Sequence, residues 1–108
     1  MEEILTTMIH DASLQKVVAT RRREDGLVLF VYPLAEGVIV GMGGTREGAA
    51  SARQILSRRA EDLERYGAWL PAMFTDGSLY VLQRLSSVHE QVPPLDDAAL
   101  AIAEELLN

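Results

Sequence analysis

The apolar residues at the start of the chain repeat at the spacing of one helical face, which predicts a helix over residues 3–13. Three short apolar runs follow at 16–23, 27–32 and 38–42, and each is typical of a β-strand. Asp25-Gly26 between the first two runs predicts a two-residue hairpin turn, because glycine takes a positive φ without steric cost.

Proline and glycine mark where these strands should end. Pro33 has no N–H to donate to a sheet, so strand pairing should fail near it. Gly43-Gly44 should end the third strand. The pattern is then helical from Arg46 to Tyr66, with Thr45 as the expected N-cap and Gly67 just past the end of the helix.

The second half of the chain repeats the hairpin pattern and closes with a helix. Asp76-Gly77 lies between the strands predicted at 68–74 and 78–85, and Asp96-Asp97 should cap a last helix that runs through Leu107. The predicted order is α-β-β-β-α-β-β-α. The sequence therefore predicts one α+β domain over all 108 residues, with a mostly antiparallel five-stranded sheet and three helices.

The central strands lack the alternation of apolar and polar residues that a half-buried strand should show. In the run 27–32, both alternating sets of side chains are apolar, and residues 38–40 repeat the pattern. An antiparallel sheet in a small domain usually has one face on its helices and one in water. Either the predicted helices divide between the two faces, or another chain covers one face, as a second copy or as a client segment.

Composition excludes several classes of function. The chain has no cysteine, which excludes a disulfide scaffold, a thiolate zinc site and a cysteine nucleophile. The net charge of −6 argues against general nucleic-acid binding, and the single basic run, Arg21-Arg22-Arg23, borders an acidic hairpin turn. No apolar run reaches the roughly 18–20 residues that span a bilayer. The acidic start is unlike a signal peptide, so we expect a cytoplasmic protein without membrane insertion.

The candidate chemical sites have simpler structural explanations. The glycine-rich turn at 41–48 lacks the glycine and the lysine that nucleotide-binding motifs need at fixed positions. Asp96-Asp97 stands at a helix start, where negative charge is favoured, and Glu104-Glu105 lies on a polar helix face. The two histidines, His10 and His89, stand apart. We therefore predict no catalytic residue, no metal site and no cofactor.

The last third of the chain carries a distinctive order of segments. A strand with a turn at Asp76-Gly77 ends in Arg84-Leu85, a short loop follows, and Leu95-Asp96 opens the last helix. This segment, together with the order of elements along the chain, resembles the class I chaperones of bacterial type III secretion.

The resemblance implies a function and a set of surfaces. Such chaperones are non-enzymatic cytoplasmic homodimers that bind the N-terminal segment of a secreted effector and keep it extended for the export machinery. By analogy, apolar residues of the first helix and of the sheet would bind the client: Leu5, Met8, Ile9, Leu29, Val31 and Val40. The long helix and the strand after it would supply the dimer interface: Ala52, Ile55, Leu56, Leu63 and Trp69.

Two other functions stay open at this point. One is a small regulatory or scaffolding protein-interaction domain of similar topology, which would have no secreted client. The other is a nucleotide-binding domain that uses the turn at 41–48. Neither alternative involves nucleic acid or a membrane.

Overall fold

Four helices and five strands follow one another in the computed structural model, which describes residues 2–44, 48–86 and 95–108. The elements are α1 (Glu2–Gln15), β1 (Ala19–Arg22), β2 (Val28–Pro33), β3 (Val38–Gly44), α2 (Ala52–Glu61), α3 (Leu63–Tyr66), β4 (Leu70–Met73), β5 (Leu79–Leu85) and α4 (Asp97–Leu107). All five strands form one antiparallel sheet in the order β1-β2-β3-β5-β4. The predicted α+β fold is confirmed, with four helices instead of three.

The two hairpins, β1–β2 and β4–β5, use the same local structure. In the first, the N–H of Gly26 donates to the carbonyl of Arg23, and Gly26 has a φ of 91°. The Asp25 carboxylate accepts a hydrogen bond from the Leu27 N–H at 3.1 Å, and Asp76-Gly77 repeats the arrangement in the second hairpin. Each loop holds three residues instead of the predicted two, because the glycine with positive φ follows a complete β-turn.

Strand β3 continues through both glycines that were expected to end it. Gly43 pairs with Tyr80, and Gly44 pairs with Leu79 on β5. A Cβ on Gly43 would lie 2.2 Å from the carbonyl oxygen of Leu79, so the close approach of β5 requires a residue without a side chain there. The prediction of a break at Gly43-Gly44 is therefore wrong.

The single helix predicted over 46–66 is two helices in the structure. Helix α2 begins after Ser51, whose Oγ accepts from the Gln54 N–H at 3.2 Å while Gln54 Oε1 accepts from the Ser51 N–H at 2.9 Å. Asp62 then leaves the helical conformation, at φ −145° and ψ 70°, and caps α3 by accepting from the Arg65 N–H. The predicted cap, Thr45, lies outside the described residues.

The core lies between the sheet and the helices, on one side of the sheet. Helix α1 packs on β1 and β2, α4 packs on β3 and β5, and α2 contacts β4 and α4. Cross-strand partners share a face of a sheet. The buried apolar side chains of the strands therefore all lie on one face, the core face: Leu29, Val31, Val38, Val40, Met42 and Val81.

Candidate binding surface

The face of the sheet opposite the core carries a second apolar surface. Its strand residues occupy the alternate positions of all five strands. We call this surface the open face, and its larger apolar residues are Val28, Phe30, Tyr32, Ile39, Leu70, Tyr80 and Leu82. None of them belongs to the core cluster, which contains every buried apolar side chain of the described helices. Within residues 2–44, 48–86 and 95–108, no helix covers the open face.

Three aromatic rings pack together on the open face. The ring centroids of Phe74 and Tyr80 lie 4.6 Å apart in a stacked arrangement, and Phe30 meets the Tyr80 ring edge-on at 5.4 Å. The Phe30 ring also lies over Gly41, its cross-strand partner, where a Cβ would come within 2.1 Å of the ring. The cluster is only partly shielded from water, since Phe74 is 41% exposed. These rings form an apolar platform that extends across the sheet from β2 to the β4–β5 hairpin.

Two arginines flank this platform. Arg22, on the outer strand β1, pairs with Val28 of β2. Arg84, on β5, pairs with Ile39 of β3. Both side chains are exposed, and neither forms an ion pair within the described part of the chain. They are the only charged residues at the paired strand positions of the open face. The surface is therefore apolar in its centre and cationic at two corners.

The electrostatic surroundings of Tyr80 reflect this arrangement. Burial among the aromatic rings raises the pKa of the Tyr80 hydroxyl, the negative charge of Asp76 raises it further, and the positive charge of Arg22 lowers it. The Asp76 carboxylate already accepts hydrogen bonds from the hydroxyl of Ser78 and from its backbone N–H, and these bonds, the hydroxyl's first, lower the pKa of Asp76. This aspartate is therefore engaged within its own hairpin loop.

The residues predicted to bind a client do not lie on this surface. Leu29, Val31 and Val40 point to the core face, and the three residues from α1 pack in the same cluster. None of the six is more than 8% exposed: Leu5, Met8, Ile9, Leu29, Val31 and Val40. A client could reach them only if the domain unfolded. The exposed apolar surface of the sheet is formed by the alternate residues instead.

The residues predicted for a dimer interface divide into two groups. Ile55 and Trp69 are buried in the core, at 1% and 2% exposure, and Ala52 is half-buried. Leu56 and Leu63 are exposed, at 56% and 57%. Only these two leucines, on α2 and α3, offer a large apolar side chain from the predicted set to a second copy.

The two adjacent glutamates of α4 form ion pairs with arginines of other elements. The Glu105 carboxylate accepts from Arg65 Nη2 at 2.7 Å and from the Tyr66 hydroxyl at 2.7 Å, so it ties α4 to α3. These hydrogen bonds, from Arg65 first, lower the pKa of Glu105. Glu104 forms an ion pair with Arg23 of the first hairpin. Both glutamates therefore have structural partners.

The turn considered for nucleotide binding is only partly described, since residues 45–47 fall outside the described ranges. The cavity beside it has a volume of about 140 Å³. Among its described lining residues, none carries a charged side chain that would neutralise a phosphate group: Gly43, Gly44, Ala49, Ala50, Gly77, Ser78, Leu79 and Leu107.

The described residues contain no cluster of three or more His, Cys, Asp or Glu side chains that could hold a metal ion. They also contain no helix with the length and hydrophobicity that crossing a membrane requires. Comparisons with protein-family models, curated proteins and solved structures return no match to this chain. The candidate site therefore depends on the geometry of the open face alone.

Proposed function

We propose that this protein is a non-enzymatic homodimeric chaperone of bacterial type III secretion, located in the cytoplasm. It binds the N-terminal segment of a secreted effector and keeps that segment extended for the export machinery. The observation that carries the proposal is the open face, an apolar and aromatic surface left uncovered by every described helix. The order of elements, in which α2 and α3 replace one predicted helix, is the second support.

The exposure of apolar side chains on the open face supports a binding partner. Burying a Val, Leu, Ile or Phe side chain stabilises a protein by roughly 1.5–3 kcal/mol. Several large apolar or aromatic side chains remain partly or largely exposed on the open face, including Tyr32 at 50% and Leu70 at 56%. Contiguous exposed apolar patches of this kind mark sites of interaction with another chain.

The position of the two exposed leucines supports a homodimer that leaves the open face free. Leu56 and Leu63 belong to helices on the core side of the sheet, whereas the open face lies on the other side. A second copy that docks on α2 and α3 would therefore not compete with a client on the sheet. We propose these leucines as the centre of the dimer interface.

The experiment is a deletion of the gene from its host, followed by quantification of every secreted protein. The proposal expects the loss of one or a few effectors from the secreted fraction, and their restoration by the wild-type gene. The affected effector is then co-expressed with this chain, as its N-terminal segment alone and as the remaining folded part. Solubilisation of the N-terminal segment alone supports a chaperone. Unchanged secretion would contradict the proposal, and binding to the folded part would favour a regulatory or scaffolding domain.

A further inference from the structure

We propose that the open face binds an extended segment in which apolar residues are flanked by carboxylates. The inference deepens the proposed function, on which it rests, by naming the chemistry of the client segment. The centre of the open face offers aromatic and aliphatic side chains, and its charged strand residues, Arg22 and Arg84, are both cationic.

The two arginines are available to a partner. Arg23 and Arg65, elsewhere in the molecule, are each paired with acidic side chains. Arg22 and Arg84 have no such ion pair among the described residues, and both are exposed. A bound carboxylate at either corner would therefore gain an ion pair without displacing one formed within the described part of the chain, and such pairs contribute to selectivity and to the rate of association.

The spacing of the arginines sets the spacing of the carboxylates. In the register, Arg22 of β1 is aligned with Val28 of β2, Gly43 of β3 and Tyr80 of β5. Three strand-to-strand spacings therefore separate Arg22 from Tyr80. Arg84 is four residues further along β5. With strands about 4.8 Å apart and about 3.4 Å per residue, the two Cα atoms lie about 20 Å apart on a diagonal. An extended segment covers this distance in about six residues. Phe30 and Ile39 lie along the diagonal and would contact the apolar residues between the carboxylates.

A second copy of this chain fits the open face poorly. Two open faces brought together would meet with four arginines and no carboxylate at their paired strand positions. Asp76, at the end of the surface, is already hydrogen-bonded to Ser78. Charge complementarity therefore favours a different, acidic partner. Single-stranded nucleic acid also stacks on aromatic sheet surfaces, but this chain has a net charge of −6 and only two cations on the face.

The test is a backbone-amide NMR titration of the full chain with synthetic peptides. The probe peptide carries two glutamates six positions apart with valine, threonine and phenylalanine between them. Its control has lysines in place of both glutamates, and a uridine oligonucleotide provides the nucleic-acid arm. We expect the glutamate peptide to bind about tenfold more tightly than the lysine peptide, with amide shifts confined to β1, β2, β3 and β5. Equal affinity for both peptides, shifts located on the helices, or tighter binding of the oligonucleotide would overturn the proposal.

Charge-reversal variants locate the effect. Arg22→Glu combined with Arg84→Glu should reverse the preference, so that the lysine peptide binds more tightly. The milder pair Arg22→Gln and Arg84→Gln should abolish the preference with less risk to the fold. Arg53→Glu on α2 is the matched control, since Arg53 is exposed and lies outside the open face. A glutamate preference that persists in both double variants would overturn the inference.

The outcome also separates this inference from the proposed function. If the gene deletion abolishes export of an effector but the charge variants bind its segment normally, the chaperone function stands and the acidic-segment inference fails. If the glutamate peptide binds as expected while secretion is unaffected by the deletion, the docking surface stands and the chaperone function fails.

Discussion

At the scale of single residues, the packing of the open face depends on a glycine, Gly41, which has no side chain. Gly41 lies opposite Phe30 in the β2–β3 pairing, and the Phe30 ring fills the space where a Cβ of residue 41 would stand. The ring is thereby held low on the sheet, where it can meet Tyr80 edge-on. An exposed aromatic cluster that keeps a fixed geometry presents a partner with a surface that costs little entropy to order on binding.

Gly41→Ala should therefore destabilise the fold and disperse the aromatic cluster. Its Cβ would lie 2.1 Å from the Phe30 ring, which must swing away. Because the ring is a side chain at a partly exposed surface, we expect a loss of about 1–3 kcal/mol in the free energy of unfolding. Urea denaturation measures this loss, and near-ultraviolet circular dichroism should show a weaker signal from the rings.

The double variant Gly41→Ala with Phe30→Leu serves as the control. If the clash with the ring is the cause, the added alanine should cost clearly less in the Phe30→Leu background than in the wild type. Strictly additive losses would mean that the ring over Gly41 does not limit this position.

At the scale of elements, side-chain hydrogen bonds fix the position of the last helix. Glu105 accepts from Arg65 and from Tyr66, and Arg58 Nη1 donates to the carbonyl of Leu106 at 3.2 Å. These contacts join α4 to the pair α2–α3. Since α4 also covers β3 and β5, they hold in place the helix that seals the core face.

Glu105 should make the stability of this contact depend on pH. Its pKa is lowered in the folded state by Arg65 and then by Tyr66, from an ordinary value near 4.5. A lowered carboxyl pKa stabilises the fold above the ordinary value, and the contribution is lost as the pH falls from there through the folded-state pKa. Glu105→Gln should therefore lower the melting temperature at pH 7 by a few degrees at most, because the pair is exposed. The difference from the wild type should shrink at pH 3.

Glu64→Gln is the matched control, since Glu64 is exposed on α3 and forms no ion pair in the described part of the chain. Its melting temperature should follow that of the wild type at both pH values. A Glu105→Gln deficit of equal size at pH 7 and pH 3 would assign the loss to packing or hydrogen bonding, not to the charge.

The sequence predicts which elements form better than where they break. The change from helical spacing to short apolar runs and the two Asp-Gly pairs predict the order of strands and both hairpins. The break at Asp62 is not predicted, because the apolar stripe of the helix continues across it to Leu63. An aspartate within a helical pattern can cap a new helix, and here its carboxylate accepts from the Arg65 N–H. Only the hydrogen bond distinguishes this aspartate from one on a polar helix face.

At the scale of the whole molecule, the sequence predicts a sheet with two apolar faces but not which face the helices cover. Apolarity alone does not separate the two sets of β2 residues. Residue type does carry a signal: the buried strand residues of the core face are aliphatic or methionine, whereas the open face holds Phe30, Tyr32 and Tyr80 together with Arg22 and Arg84. Tyrosine and arginine keep a polar group in water, so a face that collects them is the less buried one.

The described helices leave the open face uncovered, and α2 and α3 carry the exposed Leu56 and Leu63. A dimer formed through these two leucines would leave the open face free, whereas a dimer formed through the open face would block it. Leu56→Asp tests which surface it uses. If α2 and α3 form the interface, the wild type should have a mass in solution of twice 11.9 kDa, and Leu56→Asp should have a mass of 11.9 kDa with an unchanged circular dichroism spectrum.

Leu14→Asp is the matched control, because Leu14 is 72% exposed on α1 and its substitution should leave the dimer intact. A Leu56→Asp protein that remains dimeric would move the interface elsewhere, and a monomeric wild type would remove the homodimer from the proposed function. A monomer that still binds the acidic peptide would show that the open face acts without a second copy.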